Sequence, residues 1–540
     1  MKTAFFLALL LGALPIVGLS QGKFDILIQD AKIVDGTGNP WYAGDIGIRK
    51  GKIKAIGDLS KSKANRVIDA KGQIVAPGFI DVHAHVENNI LPRSTADNFL
   101  YDGVTTIITG NCGGSETNLS AFFKSLDSIG ISLNVASLIG HNSVRSSVMG
   151  TENRAPTATE LEKMRLRVDR AMRDGAVGLS TGLIYVPGTF AKTDEIVALA
   201  KVAAAFGGVY ASHIRMEDHR VLDAIDEAVE IGRQAHLPVE ISHFKITGKT
   251  SWGKSDAMID RVLEYRKNGI DVTVDQYPYT ASSTTLAVLL PTWSLAGGSD
   301  SLNIRLANPT IKAQIVKEMK EMLAVTGFPN FEYAVVANCS FAPAYNGKSI
   351  SAVNKLKDRP DGVDAEIETI LDLMKPGNRV QMIYHKMGEE DVQRILQFPL
   401  AMVASDAGIP TLGQGAPHPR AYGTNARVLG RYVRELKIIS LEDAIRKMTS
   451  LPAQRFNLHD RGLLLPGMAA DLVIFDPDKI EDKATFEASH AYAEGMSFVL
   501  VNGAVVIDAG KHIGAKPGKA LRGQGFGKKA KKSNQRAILP

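Results

Sequence analysis

Apolar and polar positions change their rhythm near residue 76 of the 540-residue chain. Residues 24–75 contain short alternating apolar runs separated by turn signals, and this pattern predicts a small β domain. From residue 76 onward, short apolar runs alternate with longer segments of helical spacing, which predicts parallel βα units. Two later segments, 465–476 and 499–507, return to the strand pattern and are expected to complete the first β domain.

Nine apolar runs between residues 76 and 406 end in polar residues. A barrel of eight parallel strands carries its active site at the C-terminal strand ends, so this placement favours a barrel. We therefore predict an α/β fold with a (β/α)8 TIM-like barrel over 76–459 and a small discontinuous β-sandwich domain from 21–75 and 460–515. One run must lie outside the barrel, and the pattern does not say which. The runs are 76–85, 105–112, 133–141, 176–183, 209–213, 239–243, 272–277, 380–385 and 400–406.

Residues 281–376 interrupt the alternation of strands and helices. A long segment of this kind predicts an insertion that covers the barrel mouth, such as a lid. Two helix starts are also readable, because Thr159 with Glu162, and Ser440 with Asp443, have the spacing of capping boxes.

Residues 1–20 stand apart from the rest of the chain. Lys2 is followed by an apolar run from Phe5 to Leu19 and then by Ser20, which is the order of regions in a signal peptide. A membrane anchor is the alternative, although the run is short for a span. We expect cleavage near Ser20 and an exported protein, periplasmic or secreted, with no integral membrane segment after cleavage.

Composition and charge narrow the choice of partners. The chain is 45% hydrophobic and 22% charged, which is typical of a soluble globular protein. Its net charge of +6 arises at the two ends, since the last twenty residues carry six cations and no acid. We predict that residues 516–540 form a basic flexible tail, that the partner is a small-molecule substrate, and that nucleic acid is not bound. The sequence does not give the oligomeric state.

A His-x-His motif ends the first run after residue 76. His83 and His85 share one face of the strand, because alternate strand residues point to the same side. Two such imidazoles either hold a metal ion or form an ordinary structural pair, and the motif alone does not decide between these.

Four further reactive side chains lie at or near the ends of other runs, namely Cys112, His213, His243 and Asp406. Taken singly, each has an ordinary structural explanation. Together, imidazole nitrogen and thiolate sulfur suit zinc, and a carboxylate beside an open coordination position suits hydrolysis. Their joint placement favours one metal centre at the mouth of the barrel.

The order and surroundings of these residues resemble the amidohydrolase superfamily, and more narrowly its N-acyl-D-amino-acid deacylases (D-aminoacylases). The resemblance runs from about residue 24 to about residue 510. The matching segments are PGFIDVHAH at 77–85, GNCG at 110–113, GAVGLSTGLIY at 175–185, ISHFK at 241–245, DQYPY at 275–279, SD at 405–406 and PHPRAYG at 417–423.

The resemblance implies a particular ligand set. Many amidohydrolases bridge two metals with a carbamylated lysine, but the strand at 178–182 offers no lysine. The deacylases use a cysteine thiolate instead, which assigns the tight zinc to Cys112, His213 and His243 and a second, weaker metal to His83 and His85. A thiolate bound to metal is incompatible with a disulfide to Cys339, so none is predicted.

The resemblance also implies the reaction, hydrolysis of the amide bond of N-acyl-D-amino acids to a carboxylate and a free D-amino acid. Zinc would polarise the acyl carbonyl and activate water, while Asp406 would act as general base and then as general acid. Cations and hydroxyls would bind the substrate α-carboxylate, and the candidates are Lys245, Tyr277, Ser283 and Arg420. Tyr185 and His141 are further candidates for lining the pocket.

Alternative functions stay open at this point. A dipeptidase that acts on peptides with a C-terminal D-residue would use the same groups, because a peptide is also an N-acyl amino acid. Another amidohydrolase acting on cyclic amides is the second alternative, and a non-catalytic carboxylate-binding protein is the third. The D-configuration follows from the resemblance alone.

Overall fold

The computed structural model describes residues 23–375 and 379–528, so the predicted signal peptide lies outside the described residues. The strands are β1 (Phe24–Ile33), β2 (Tyr42–Arg49), β3 (Lys52–Gly57), β4 (Ala64–Asp69), β5 (Ile74–Pro77), β6 (Phe79–Asp81), β7 (Val104–Thr109), β8 (Asn134–Ser137), β9 (Ile139–Gly140), β10 (Gly178–Gly182), β11 (Val209–His213), β12 (Val239–Ile241), β13 (Val272–Gln276), β14 (Ser282–Thr285), β15 (Ala334–Cys339), β16 (Val380–Tyr384), β17 (Ala401–Val403), β18 (Leu472–Phe475), β19 (Met496–Val501), β20 (Ala504–Asp508) and β21 (Lys511–His512).

The α-helices are α1 (Asp97–Tyr101), α2 (Leu119–Ile129), α3 (His141–Met149), α4 (Ala158–Asp174), α5 (Thr193–Ala204), α6 (Val221–Ala235), α7 (Ser255–Lys267), α8 (Gly298–Ala307), α9 (Pro309–Thr326), α10 (Ile350–Leu356), α11 (Val363–Leu373), α12 (Glu389–Gln397), α13 (Arg420–Arg427), α14 (Leu441–Met448) and α15 (Ser450–Arg455). A π-helical segment covers Val428–Glu435, and short 3₁₀ turns cover Gly188–Phe190, Lys249–Ser251, Leu286–Leu289, Thr292–Leu295, Phe331–Tyr333 and Pro343–Tyr345.

Two parallel sheets form the centre of the molecule. One contains β6, β7 and β8, and the other runs in the order β17-β13-β12-β11-β10-β9. Strands β8 and β9 are separated only by Leu138, whose N–H donates to Thr109 O on β7. On the other side, Ala84 after β6 forms a parallel bridge with Ala407 after β17. The C-terminal ends of all these strands therefore lie along one rim.

Side chains on one face of these strands meet in a small apolar cluster. It includes Ile80, Ile108, Leu138 and Met402, each from a different strand region. The opposite strand face packs against the surrounding helices in a much larger core that includes Tyr210. Both faces of these strands are therefore covered by apolar side chains, which explains why their sequences are nearly continuous apolar runs.

The inserted segment has a sheet and a core of its own. Strands β14, β15 and β16 pair antiparallel, and α8 to α11 pack on them. The run at 380–385 is therefore the one that lies outside the parallel sheets, and the insertion extends past residue 376. Periodicity did not separate it from the others, because any short buried strand has the same apolar pattern.

Both ends of the described chain contribute to a single nine-stranded sheet. Its order is β21-β20-β19-β18-β5-β1-β2-β3, with β4 paired to β1. Strand β5 joins the two halves, because it pairs parallel with β1 and antiparallel with β18. Lys52 of β3 also bridges to Ala469, just before β18, so the sheet curls back on itself around a common core.

The tail prediction is wrong for residues 516–528. Gly518 N donates to Ile131 O (2.8 Å) and Leu521 N donates to Val135 O (2.8 Å), so this segment follows the outer edge of β8. A Cβ at Gly518 would lie only 2.1 Å from Leu133 O, so glycine is what permits the close approach. The charge pattern predicted a solvated extension because it considers only the basic residues. The contacts are made instead by the glycines and by Leu521, which carry no charge. Residues 529–540 lie outside the described residues.

One of the two predicted helix caps is misplaced. The box is formed by Thr157 and Glu160, since Glu160 N donates to Thr157 Oγ1 (3.2 Å) and Thr157 N donates to Glu160 Oε2 (2.8 Å). Thr159 and Glu162 have the same spacing as Thr157 and Glu160, so the sequence pattern fits both pairs. The position of the first helical residue, Ala158, determines that Thr157 is the cap. Ser440 caps α14 by accepting a hydrogen bond from Asp443 N (3.1 Å).

Among the residues that the structure describes, no helix is both long enough and apolar enough to cross a bilayer.

Candidate active site

The predicted reactive residues lie at or just beyond the strand ends on the shared rim. His213 is the last residue of β11, and His243 follows β12 by two residues. Cys112 and Asp406 each follow their strands, β7 and β17, by three residues, and His83 follows β6 by two. Strands as far apart in sequence as β6 and β17, more than 300 residues, thus bring these side chains together.

Cys112, His213 and His243 form a compact donor cluster. The Cys112 Sγ atom lies 3.6 Å from His213 Nδ1 and 3.5 Å from His243 Nε2, and the two ring nitrogens are 2.6 Å apart. One thiolate and two imidazole nitrogens facing a common point are a donor set that zinc prefers, so the residues fit this metal. Cys112 and Cys339 are both free, as this arrangement requires.

His83 and His85 also lie close to the Cys112 thiol. His83 Nε2 lies 3.2 Å from Cys112 Sγ, and His83, His85 and Cys112 form a second possible ligand group. The Cys112 sulfur is therefore common to both groups of possible metal ligands.

The Asp406 carboxylate lies between these histidines and Arg420. Its Oδ1 atom is 3.1 Å from His85 Nε2, and its Oδ2 atom is 3.0 Å from Arg420 Nη1. Burial alone would raise the pKa of Asp406, but the Arg420 guanidinium and His83 hold it well below its usual range. Asp406 is accordingly ionised at neutral pH.

Cys112 is also held in its charged form. Burial raises the pKa of the thiol, but His83 and His243 outweigh burial and place the pKa well below the ordinary value. A thiolate is the form of cysteine that binds metal, so the electrostatics and the geometry agree.

Three residues that contact the predicted site residues are not among the candidates that the sequence indicates. Asp275 Oδ1 accepts a hydrogen bond from His243 N (2.8 Å), and Asp275 Oδ2 lies 3.2 Å from His83 Nδ1, so one carboxylate orients both histidines. Glu217 Oε1 lies 3.2 Å from His243 Nδ1. His418 accepts a hydrogen bond from Arg420 N and orients the turn before α13.

The sequence contains a signal for two of these residues, Asp275 and Glu217. Asp275 lies two positions before Tyr277 on a strand, so it shares that face, and Glu217 follows His213 by four residues. Hydrogen-bonding partners of this kind set the ring orientation and tautomer of metal-binding histidines.

Buried donors without partners lie beside Asp406. The hydroxyl of Tyr277 and the Nε atom of Arg420 have no hydrogen-bond partner among the described residues. The Arg420 guanidinium lies over the Tyr277 ring at 4.5 Å, and Lys245 Nζ is 5.8 Å from the same ring. Buried donors are rarely left unpaired in proteins, so this group of three side chains suits an anionic ligand.

The remaining predicted residues have different positions. Ser283 and Tyr185 line a cavity of ≈720 Å³ that also contains Cys112, Asp406 and Arg420. The Ser283 hydroxyl donates to Met382 O (2.8 Å), and the Tyr185 hydroxyl accepts from Thr284 Oγ1 (3.0 Å).

His141 is not part of this cavity. It is fully buried at the start of α3, and its Nε2 atom lies 2.9 Å from Glu195 Oε1. Arg145 binds the same carboxylate at 3.1 Å. The structure therefore gives His141 a structural position behind the site, because α3 begins directly after β9 and turns the first side chain inward.

Comparison with known proteins identifies relatives along nearly the whole chain. The amidohydrolase family matches residues 66–288 and 363–507, and the interval between them lies within the insertion. D-aminoacylase of Alcaligenes xylosoxydans xylosoxydans is 34% identical over 521 residues, which cover 92% of this chain and 97% of that protein. N-acyl-D-glutamate deacylase of the same organism is 35% identical over 524 residues, covering 93% and 97%.

A solved structure gives the same result. N-acyl-D-glutamate deacylase from Bordetella bronchiseptica, complexed with zinc and a phosphonate mimic of the tetrahedral intermediate, is 34% identical to this chain. The TM-score is 0.80, and the match covers 93% of this chain and 100% of that one. The predicted α/β fold and the predicted family are thus confirmed, and the chain belongs to the amidohydrolase family, in the group that contains D-aminoacylase.

Proposed function

We propose that the protein is a zinc-dependent hydrolase that cleaves N-acyl-D-amino acids to a carboxylate and a free D-amino acid. One observation carries the proposal: the ionised Asp406 lies between the Cys112 donor cluster and the unpaired donors of Tyr277 and Arg420. A hydrolase for this substrate needs a metal, a base and a carboxylate site within a few ångströms of one another. The relatives named above act on substrates of this class.

The proposed ligands of the tight zinc are Cys112, His213 and His243, and a second, weaker metal would bind His83 and His85. When bound, zinc supplies Lewis-acid polarisation of the acyl carbonyl and a more acidic water. Asp275 and Glu217 hold the histidine rings in their binding orientation from behind.

Asp406 is the proposed proton carrier. Arg420 engages its Oδ2 atom, which leaves Oδ1 on the side of the donor cluster to accept a proton from the attacking water. The same Oδ1 atom then donates that proton to the departing amine nitrogen. No covalent bond between protein and substrate is required.

The proposed α-carboxylate site consists of Arg420, Tyr277 and Lys245, with Ser283 and Tyr185 on the cavity wall. Arg420 Nε and the Tyr277 hydroxyl gain the partner that they lack. Lys245 is held at 2.5 Å from Glu217 and contributes positive charge from beneath. Anchoring the carboxylate here fixes where the amide carbonyl lies relative to the donor cluster.

The finer architecture belongs to the proposal as well. We propose that the two parallel sheets are one (β/α)8 TIM-like barrel, which the Ala84–Ala407 bridge and the short break at Leu138 support. We also propose that the curled nine-stranded sheet is a β-sandwich, supported by the Lys52–Ala469 bridge.

The cellular location of the protein is a separate proposal. We propose export to the periplasm or medium with cleavage near Ser20, on the strength of the sequence of residues 1–20. N-terminal sequencing of the protein from fractionated cells tests this. A mature chain that begins near Gln21 outside the cytoplasm is expected, whereas an intact Met1 in the cytoplasm would contradict export.

Hydrolysis of paired N-acetyl-D- and N-acetyl-L-amino acids by zinc-loaded protein tests the function. We expect release of acetate from D-substrates alone. Dipeptides with a C-terminal D-residue and cyclic amides belong in the same assay, because turnover confined to either of them would favour the alternative hydrolases. Binding of N-acetyl-D-amino acids without any turnover would favour a carboxylate-binding protein.

A further inference from the structure

The short helix α1 contacts both of the segments that carry Asp406 and Arg420. Asn98 belongs to this helix and is buried, at 2% exposure. Its side-chain amide nitrogen donates to Gly408 O (3.1 Å) and to Ala421 O (2.7 Å). A single amide group therefore joins the loop after β17 to the first turn of α13.

Helix α13 is broken directly after its first turn. Gly423 has φ and ψ angles of −149° and 29°, which are not helical. In an unbroken helix the Asn425 N–H would donate to Ala421 O. Here that N–H donates to Asp102 Oδ2 (2.8 Å), directly after α1, while Ala421 O accepts from Asn98. Helix α1 and the residue after it thus supply a partner for each of the two groups that this helical bond would join.

The two hydrogen bonds of Asn98 lie next to the ion pair of the proposed site. Gly408 is two residues after Asp406, and Ala421 directly follows the arginine of that pair. Arg420 Nη1 lies 3.0 Å from Asp406 Oδ2. Because the break in α13 separates its first turn from the rest of the helix, the bonds made by Asn98 help to determine where Arg420 lies relative to Asp406.

Neighbouring side chains contact these segments singly. Arg93 Nη1 donates to Ile409 O (3.1 Å) in the loop after β17, and the Asp102 carboxylate accepts from Asn425 and Ala426 in α13. These contacts fix each segment against the chain before it. The amide of Asn98 differs because its two donated bonds go to different segments, so it sets the spacing between them.

The oxygen of the same amide makes no such contact. Asn98 Oδ1 is buried and has no hydrogen-bond partner among the described residues. A buried polar atom without a partner is destabilising, so an apolar residue would suit a position that served packing alone. The two donated bonds are therefore the reason for an asparagine at this position.

Resting on the proposed function, we infer that Asn98 is a positioning residue for the reaction, which holds the proposed proton carrier Asp406 at a fixed distance from the proposed carboxylate ligand Arg420. Without the amide, two buried carbonyls lose their donor, and the first turn of α13 is no longer tied to the loop after β17. A bound substrate would then be anchored at a variable distance from Asp406 Oδ1, and misplacement by about 1 Å can lower the rate by about 100-fold.

A double-mutant cycle with Arg420 tests this inference. The substrate is the N-acetyl-D-amino acid that the unmodified, zinc-loaded protein hydrolyses fastest. Asn98→Ala should lower kcat/KM by about 10- to 100-fold, since Arg420 and Asp406 are no longer held together. In an Arg420→Met background the loss caused by Asn98→Ala should be at least about threefold smaller, because the residue that Asn98 positions is absent. A general structural role would give the same loss in both backgrounds.

Asn354→Ala is the matched control. Asn354 is equally buried in a helix of the inserted unit, and its amide nitrogen donates to Pro360 O (2.8 Å). This substitution should lower the melting temperature and leave kcat/KM unchanged. Zinc content should be the same in all variants. Asn98→Ser keeps a single donor, so its kcat/KM should lie between those of the unmodified protein and Asn98→Ala.

The possible failures are distinguishable. Normal kcat/KM in folded Asn98→Ala, or in Asn98→Ser if the alanine variant does not fold, would overturn the inference alone. Equal losses with and without Arg420 would overturn it too. If the unmodified protein hydrolysed no N-acetyl-D-amino acid with zinc bound, the proposed function would be refuted and the inference with it.

Discussion

Three reactive residues have left-handed backbone conformations. The φ angles are 51° at Cys112, 37° at His243 and 50° at Asp406, a region that residues other than glycine, asparagine and aspartate rarely occupy. Each residue directs its side chain out of a strand end and towards the common centre. Such conformations persist only where the surrounding structure enforces them, and they are frequent at active sites.

The state of Cys112 gives a prediction for metal-free protein. Because neighbouring histidines lower the pKa of this thiol, we expect alkylation by iodoacetamide to continue at pH values well below those at which an ordinary cysteine reacts. The measurement is the alkylation rate against pH, followed by mass spectrometry of the modified peptide. Cys339 is the internal control, since it is fully buried and burial raises its pKa. Added zinc should protect Cys112, and equal reactivity with and without zinc would contradict its role as a ligand.

Asp406→Asn should separate catalysis from metal binding. We expect kcat to fall by about 10²- to 10⁴-fold because the proton acceptor is lost, while zinc content stays unchanged. Asp482→Asn is the matched control, because Asp482 is equally shielded, at 11% exposure, and pairs with Arg427 at 3.0 Å away from the cavity. A full kcat in Asp406→Asn would refute the proposed proton transfer.

Tyr277→Phe tests the carboxylate site through an unusual combination of effects. The hydroxyl has no partner among the described residues, so its removal should not lower the melting temperature. KM should rise by about 10- to 100-fold, since a hydrogen bond to a charged group is lost. Tyr210→Phe is the counterpart: its hydroxyl bonds Thr181 at 2.8 Å, so stability should fall while KM stays constant. Destabilisation by Tyr277→Phe with normal KM would place the hydroxyl outside the substrate site.

The sequence indicated most of the reactive side chains but not the two acidic residues that hydrogen-bond to the histidines. Histidine, cysteine and aspartate at strand ends are visible as a pattern, because strand ends of a parallel sheet share one rim. Asp275 and Glu217 occupy positions that the pattern could have marked, but the histidines that they contact, His83 and His243, are distant in sequence, so the pairing itself leaves no local signal. His141 was predicted to line the pocket but does not. Its strand-end position did not reveal that α3 begins at this residue.

At the scale of single elements, the start of α4 illustrates an ambiguity that the structure resolves. Thr157→Ala should lower the free energy of unfolding by about 0.5–2 kcal/mol, since it removes the acceptor for Glu160 N. Thr159→Ala, inside the first turn, should change it by less than about 0.5 kcal/mol. Chemical denaturation of the two variants measures both values. The opposite ranking would restore the cap predicted from the sequence.

Element type was readable from the sequence more reliably than element partner. Apolar runs predicted strands at the right places, yet β16 pairs with β14 and β15 instead of joining the parallel sheets. Antiparallel pairing within the insertion depends on contacts across nearly 100 residues, and these leave no periodic signal in the run itself.

At the scale of the whole molecule, the segment 516–528 should contribute to stability although its composition suggests otherwise. Leu521 packs against the apolar cluster of the parallel strands. Leu521→Asp should therefore reduce the free energy of unfolding by about 1–3 kcal/mol, because it places a charge against apolar side chains. Ile513→Asp is the control, since Ile513 is 53% exposed. Equal melting temperatures for Leu521→Asp and the unmodified protein would mean that the segment is dispensable.

The pairing of β5 with β18 has a consequence for how the chain is made. These strands lie about 400 residues apart, and a ribosome that adds roughly 5–20 residues per second needs about 20 to 80 seconds to synthesise the interval. During that time β5 lacks β18, the strand that covers its outer edge, and open strand edges attract other chains. We therefore expect the edge of β5 to be the part of the nascent protein most prone to association with other chains until β18 has been synthesised.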